Sequence, residues 1–300
     1  MKIFVTGGTG FIGTYVTRYL IDKGHRVTAT GLRPTQDTIH HDRFEYISAD
    51  TSRPGTWQEE LAESDAVINL AGKTIFKRWS KSYKQEIYDS RILTTRNLVE
   101  ALAQKEGMIF CSTSAVGYYG DGGDEPLSED AANGDDFLAH ISIDWEEAAM
   151  AAESKGARVV ILRFGIVLGI DGGALAKMLP AFKSFAGGPL GNGRQWFPWI
   201  HMDDLLAALA FVMANKAMVG PVNICAPHPV RNRDLAKALG KFLGRPSLIP
   251  APALMIRMVM GEMATALLAS QRAVPEKLMS HGFNFEYPEI QEALRDLIRK

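Results

Sequence analysis

Residues 1–13, MKIFVTGGTGFIG, decide how this chain is read. Lys2–Thr6 is a short apolar and β-branched run suited to a buried strand. Glycines follow at Gly7, Gly8, Gly10 and Gly13, and apolar residues then recur at helical spacing (Ile12, Val16, Tyr19, Leu20) up to a stop at Gly24. A strand, a glycine turn and a helix in this order form a dinucleotide cradle. Gly7 allows the tight turn, Gly10 lets the backbone approach a pyrophosphate, and Gly13 brings the helix close to the sheet. The phosphates meet the free N–H groups and positive end of the helix.

The rest of the chain fits a sheet built around that unit. Strands are expected at 26–30, 44–48, 66–70, 108–112 and 158–162, separated by helices at 82–104 and 135–154. Such alternation implies right-handed crossovers and an α/β fold with a doubly wound parallel sheet. The expected division is a dinucleotide-binding Rossmann domain over 1–165, to which later segments can return, and a smaller mixed α/β C-terminal lobe over 166–300. That lobe carries glycine-rich loops, helices at 203–215 and 231–243, a short strand at 222–224, and a helical, methionine-rich segment from about 250. Met255, Met258, Met260 and Met263 have the spacing of flexible core fillers, the alternative being an adaptable binding surface.

Bulk properties exclude several classes. The 300 residues carry a formal net charge of −1, which gives no bulk attraction to nucleic acid or an anionic membrane. The two cysteines, Cys111 and Cys225, form neither a metal knuckle nor a disulfide framework, as in a reducing compartment. No signal peptide or spanning run is evident, so the expectation is a cytoplasmic protein with a small-molecule ligand and no metal, either a monomer or a homodimer.

The second strand ends Thr30-Gly31-Leu32-Arg33, with no carboxylate for a ribose 2′-hydroxyl. Arg33 is therefore a candidate for the 2′-phosphate of NADP (NADPH), the alternative being a solvated loop arginine. Asp50, after the third strand, either accepts from the adenine amino group or makes a local Asx turn.

These residues resemble the extended branch of the short-chain dehydrogenase/reductases. Thr6 to Gly13 looks like its nucleotide motif, Asn69-Leu70-Ala71-Gly72 like the segment lining the cofactor, and CSTSAVGYYG (111–120) like the strand that carries the active-site serine, here Ser114. Leu162-Arg163-Phe164-Gly165 is similar to the segment beside the nicotinamide. Gly72-Lys73-Thr74, Asp144-Trp145-Glu146, QWFPWIH (195–201) and the tail around Gly261-Glu262 and Pro275 resemble an atypical subgroup labelled "epimerase family", with a C-terminal domain of unknown function. The resemblance covers nearly the whole chain. It implies cofactor contacts from Gly7, Gly10, Phe11, Ile12, Gly13, Leu70, Ala71, Gly72 and Arg163, and an NADP-dependent oxidoreductase or epimerase-like activity.

The departures from that family are as informative. Its proton-transfer tyrosine and the lysine four positions later align with Leu138 and Ser142, and its asparagine aligns with Arg91. The single Tyr-x-x-x-Lys, Tyr19 to Lys23, lies on the first helix below the phosphates, away from any substrate. Ser114 and Arg91 remain the catalytic candidates, with Lys73, Lys77, Arg78 and Lys84 as a basic rim suited to an anionic substrate, or else a solvated helix face. His201 reads as an acid/base or as a capping histidine, and Trp79, Trp196 and Trp199 as stacking platforms or as packing. Two function classes stay open: an enzyme, and a non-catalytic NADPH-binding sensor.

Overall fold

The computed structural model describes residues 1–299. Lys2–Thr6 (β1), Arg26–Gly31 (β2), Phe44–Ser48 (β3), Ala66–Asn69 (β4) and Ile109–Ala115 (β5) join the strands Arg158–Phe164 and Gly220–Ile224 in one seven-stranded sheet. Its order runs Gly220–Ile224, Arg158–Phe164, β5, β4, β1, β2, β3, and every pairing is parallel. The central strands are continuous apolar runs because both sheet faces are covered; Ile3, Phe4 and Val5 are all essentially unexposed. The seventh strand lies well past residue 165, so the chain leaves the sheet for the C-terminal lobe and returns to complete it.

Helices pack on both faces, and their ends follow local chemistry. Phe11–Asp22 (α1) stops at Gly24, whose φ of +89° suits glycine. After the short Trp57–Ala62 (α2), Lys81–Ala101 (α3) is capped by Ser80, whose hydroxyl accepts from the Tyr83 N–H at 3.1 Å. Phe137–Met150 (α4) is capped the same way by Asp136. One apolar core lies under α1 and Met202–Ala214 (α6); the other packs α2, α3 and α4 against the opposite face.

The C-terminal lobe has its own core, centred on Trp199, Phe182, Leu239 and Leu294. It contains a helix absent from the sequence expectation, Gly173–Lys183 (α5), which carries Pro180 inside it. Asn232–Leu243 (α7) and Ala253–Met260 (α8) follow. The end of the chain is pinned back by buried polar groups. Asp204 accepts from the N–H groups of Glu286 and Tyr287 at 2.8 and 3.0 Å, while burial raises its pKa. Asn223, on the last strand of the sheet, donates to the carbonyls of Leu127 and Val274.

Candidate functional site

The glycine turn divides its labour differently from the expectation. Gly7 has φ +65°, and its carbonyl accepts from the Gly10 N–H at 2.9 Å. A Cβ on Gly13 would lie 2.0 Å from that same carbonyl, so Gly13 is needed for the helix to press against the turn itself. Close approach to the sheet falls to Gly8, where a Cβ would sit 2.5 Å from the Ala29 methyl. Gly10 has only the Gly7 carbonyl, at 3.2 Å, near its missing Cβ. The helix start carries no side-chain cap and no acidic residue in its first turn, leaving its N–H groups and positive end for an anion. Phe11 and Ile12 supply two of those N–H groups; the Phe11 ring itself wedges against Gly169, Gly172 and Gly173.

Beside the turn, the Thr6 hydroxyl donates to Asn69 at 2.7 Å and accepts from the N–H groups of Leu70 and Ala71. This fixes the Leu70-Ala71 backbone 3.1 Å from the position of the missing Gly7 Cβ. Gly72 lies over the Arg91 guanidinium, which donates to the carbonyls of Ile87 and Lys73 at 3.0 and 3.1 Å. Burial lowers the Arg91 pKa to about 10, still charged at neutral pH. At the end of β2, Arg33 is exposed, and among the described residues no carboxylate pairs with it; the Tyr46 hydroxyl donates to its carbonyl at 2.6 Å. Asp50 makes the Asx turn, accepting from the Ser52 N–H and hydroxyl at 3.1 and 2.6 Å.

Ser114 is held by a buried chain of polar groups. Its hydroxyl donates to Glu146 Oε1 at 2.6 Å, and Arg163 grips the same carboxylate with both arms, Nε to Oε1 and Nη2 to Oε2, each at 2.8 Å. Nη1 of Arg163 donates to the Tyr119 hydroxyl and the Glu129 carbonyl at 3.0 Å, and Tyr119 donates to Asn223 at 2.7 Å. Burial pushes the Tyr119 pKa up to about 12, so it stays protonated at neutral pH. Arg163, expected beside the nicotinamide, is 2% exposed and faces Glu146. Glu146 is the residue that the sequence reading missed as part of the site. Leu138, Ser142 and Glu146 stand at successive four-residue steps on α4, so the carboxylate lies one turn beyond the lysine position, on the same stripe.

The basic rim is largely paired. Lys73 meets Glu86, Lys84 meets Glu262 at 2.6 Å, and Arg78 donates to the Met258 carbonyl, fastening the C-terminal segment over the loop after β4. The positive charge gathers elsewhere, in an open cavity of about 830 Å³ beside the chain that leaves β5. Arg194, Arg231, Arg233 and Arg257 line it together with Asp121 and Asp124. Arg231 stacks 4.0 Å from the Trp196 ring and holds the Asp124 carboxyl below the usual carboxylate range. Of the other tryptophans, Trp79 and Trp199 are packing residues, 8% and 0% exposed. His201 caps α6, its Nδ1 accepting from the Asp203 N–H at 3.1 Å, with Asp296 of the last helix 3.3 Å from Nε2.

A seven-stranded parallel sheet with an uncapped glycine turn at the carboxyl end of its first strand defines a Rossmann-type dinucleotide-binding protein. The chain belongs to the NAD dependent epimerase/dehydratase family, whose model matches residues 3–225, and residues 251–297 match a domain of unknown function, DUF1731. It is 37% identical to the chloroplastic epimerase family protein SDR39U1 homolog of Arabidopsis thaliana, covering 100% of this chain and 87% of that one. It is also 37% identical to the epimerase family protein YfhF of Bacillus subtilis, over 99% and 98% of the two chains. A crystal structure of human epimerase family protein SDR39U1 with NADPH superposes with a TM-score of 0.87 at 32% identity, covering all of both chains.

Proposed function

We propose that the protein is an NADP(H)-dependent oxidoreductase or epimerase-like enzyme acting on a small anionic metabolite. The observation that carries the substrate class is the arginine-lined cavity beside the chain leaving β5: Arg194, Arg233 and Arg257 have no acidic partner among the described residues. Guanidinium groups bind carboxylate and phosphate in a fork, so a ligand with at least one such group fits. When bound, the nicotinamide cofactor supplies hydride transfer; the chain's own residues bind and orient. The cradle of Gly7, Gly10 and Gly13 fits a pyrophosphate, Arg33 the 2′-phosphate of NADP, and the NADPH in the human relative supports the choice.

The cofactor choice has a direct test. Arg33→Ala is expected to weaken NADPH binding by roughly ten- to hundredfold, the value of one charge-assisted phosphate contact, and to leave NADH unchanged. Calorimetry with both nucleotides measures it. Equal wild-type affinity for the two would remove Arg33 from the phosphate site.

Catalysis requires a proton route other than the absent Tyr–Lys pair. Losing a positioned acid or base typically costs about 10²–10⁴-fold, so simple neutral alcohols are expected to turn over very slowly. Deuteride transfer from labelled NADPH to carboxylated and phosphorylated metabolites tests the enzyme, and Arg233→Ala should raise KM for any product-forming substrate with little change in kcat. A second reading, a non-catalytic NADPH sensor, is favoured by one observation: the hydroxyl proton of Ser114 is committed to Glu146 and is not offered to a substrate oxygen. Tight NADPH binding with no label in any product would select that reading.

A further inference from the structure

Helix α8 turns three different faces to its surroundings. Ile256 is buried, Ala253 and Arg257 line the arginine cavity, and Leu254, Met255, Met258 and Val259 are 68%, 55%, 61% and 69% exposed. At about 100° per residue, those four form one continuous apolar arc adjoining Arg257. Of the two readings of the methionines, core filler and adaptable surface, the exposure of Met255 and Met258 leaves both side chains outside the core. The preceding loop adds Leu248 and Ile249, and Phe185, in the loop whose Gly188 packs against Ile249, is also exposed. Residues 189–191 pair with Ala251 through two 2.8 Å backbone hydrogen bonds, and Arg245 lies 4.3 Å over the Phe185 ring.

The two segments that build this face carry charge of one sign, while Asp121 and Asp124 lie on the cavity side of Arg257. Residues 172–202 and 235–261 contain no Asp or Glu, although the chain has 34 of them and a net charge of −1. Lys183, Lys241, Arg245 and Arg257 are therefore offset by no acid in either segment. Monomeric proteins rarely leave contiguous aliphatic side chains in water without a partner. A second copy docked on this face across a two-fold axis would bring two acid-free, cationic segments together, which disfavours self-association. An anionic bilayer satisfies both halves of the surface: the acyl boundary takes the leucine, valine and methionine side chains, and the headgroups take the guanidinium and ammonium groups.

We propose that α8 and the adjoining 185–190 and 248–252 loops form a peripheral docking face for an anionic lipid bilayer. The contact lies in the interfacial plane, since no helix among the described residues is long and apolar enough to cross a membrane. The even bulk charge conceals it because the excess is local. Docking on this face brings the arginine cavity, which shares Ala253 and Arg257 with α8, to headgroup level.

The experiment is flotation of the full-length chain with phosphatidylcholine vesicles, with and without phosphatidylglycerol, alongside sedimentation equilibrium. The wild type should float with the anionic vesicles only. Leu254→Ser/Val259→Ser and Lys241→Gln/Arg245→Gln should each lower partitioning by about tenfold or more while circular dichroism stays unchanged. Binding should weaken as salt rises and the Debye length shortens. The proposal is overturned if the wild type stays down with anionic vesicles or floats equally with neutral ones. It is equally overturned if the wild type is a dimer that Leu254→Ser/Val259→Ser converts to monomer, which would make the occupant a second copy.

Discussion

Glu146→Ala is expected to lower the stability of the protein by about 3–5 kcal/mol, because it strips the Arg163 guanidinium of its counter-ion in a place water does not reach. The side chains of this pair are 3% and 10% exposed, so solvent screening offers little compensation. The loss should appear as a fall of roughly 6–20 °C in the thermal midpoint for a chain of this size. Glu146→Gln keeps the shape and should cost less. A double substitution, Glu146→Ala with Arg163→Met, removes both charges and should be less damaging than Glu146→Ala alone, since the main penalty is an unpaired buried charge. If the single substitution costs under about 1 kcal/mol, the guanidinium has found water and the network does not hold Ser114.

Gly10→Val is expected to abolish nucleotide binding, a loss of at least about a hundredfold, with far-UV circular dichroism nearly unchanged. The backbone there is extended, φ −77° and ψ −176°, a conformation that valine favours, and a Cβ there has only the Gly7 carbonyl within 4 Å, at 3.2 Å. The new side chain would project into the space left for the pyrophosphate. Gly13→Ala provides the contrast. Its methyl group would land 2.0 Å from a backbone oxygen and 2.7 Å from the Gly8 Cα, so the turn must distort and the fold should lose about 1–3 kcal/mol or more. Two glycines three residues apart thus separate binding from folding, and measuring nucleotide affinity and thermal stability on both variants tests the division. A Gly10→Val protein that binds NADPH as tightly as the wild type would move the phosphates elsewhere.

The sheet is legible in the sequence because its central strands are apolar on both faces and the glycine turn follows the first of them. Phe44–Ser48 and Lys2–Thr6 fall where their β-rich runs end, since nothing in the tertiary fold overrides local preference. Helix Gly173–Lys183 is not legible, because Pro180 and flanking glycines carry loop signals that packing of Leu175 and Phe182 into the lobe's core overrules. Glu146 is hidden for a different reason. A carboxylate on an amphipathic helix reads as surface, and the distant Arg163 and Ser114, on two strands of the sheet, make its burial tolerable. Likewise the cavity arginines come from residues 194, 231, 233 and 257, which no local pattern unites.

The placement of Gly220–Ile224 at the edge of the sheet has a consequence for synthesis. As the chain leaves the ribosome, β5 is already available to Arg158–Phe164, but the partner for its other side emerges only after residues 165–219. Until then the growing polypeptide presents an open hydrogen-bonding edge carrying Val160, Ile161 and Leu162, the kind of surface that templates aggregation or recruits chaperones. A nascent chain stalled in that interval carries this edge uncovered. A fragment cut at residue 165 would stay in that condition permanently.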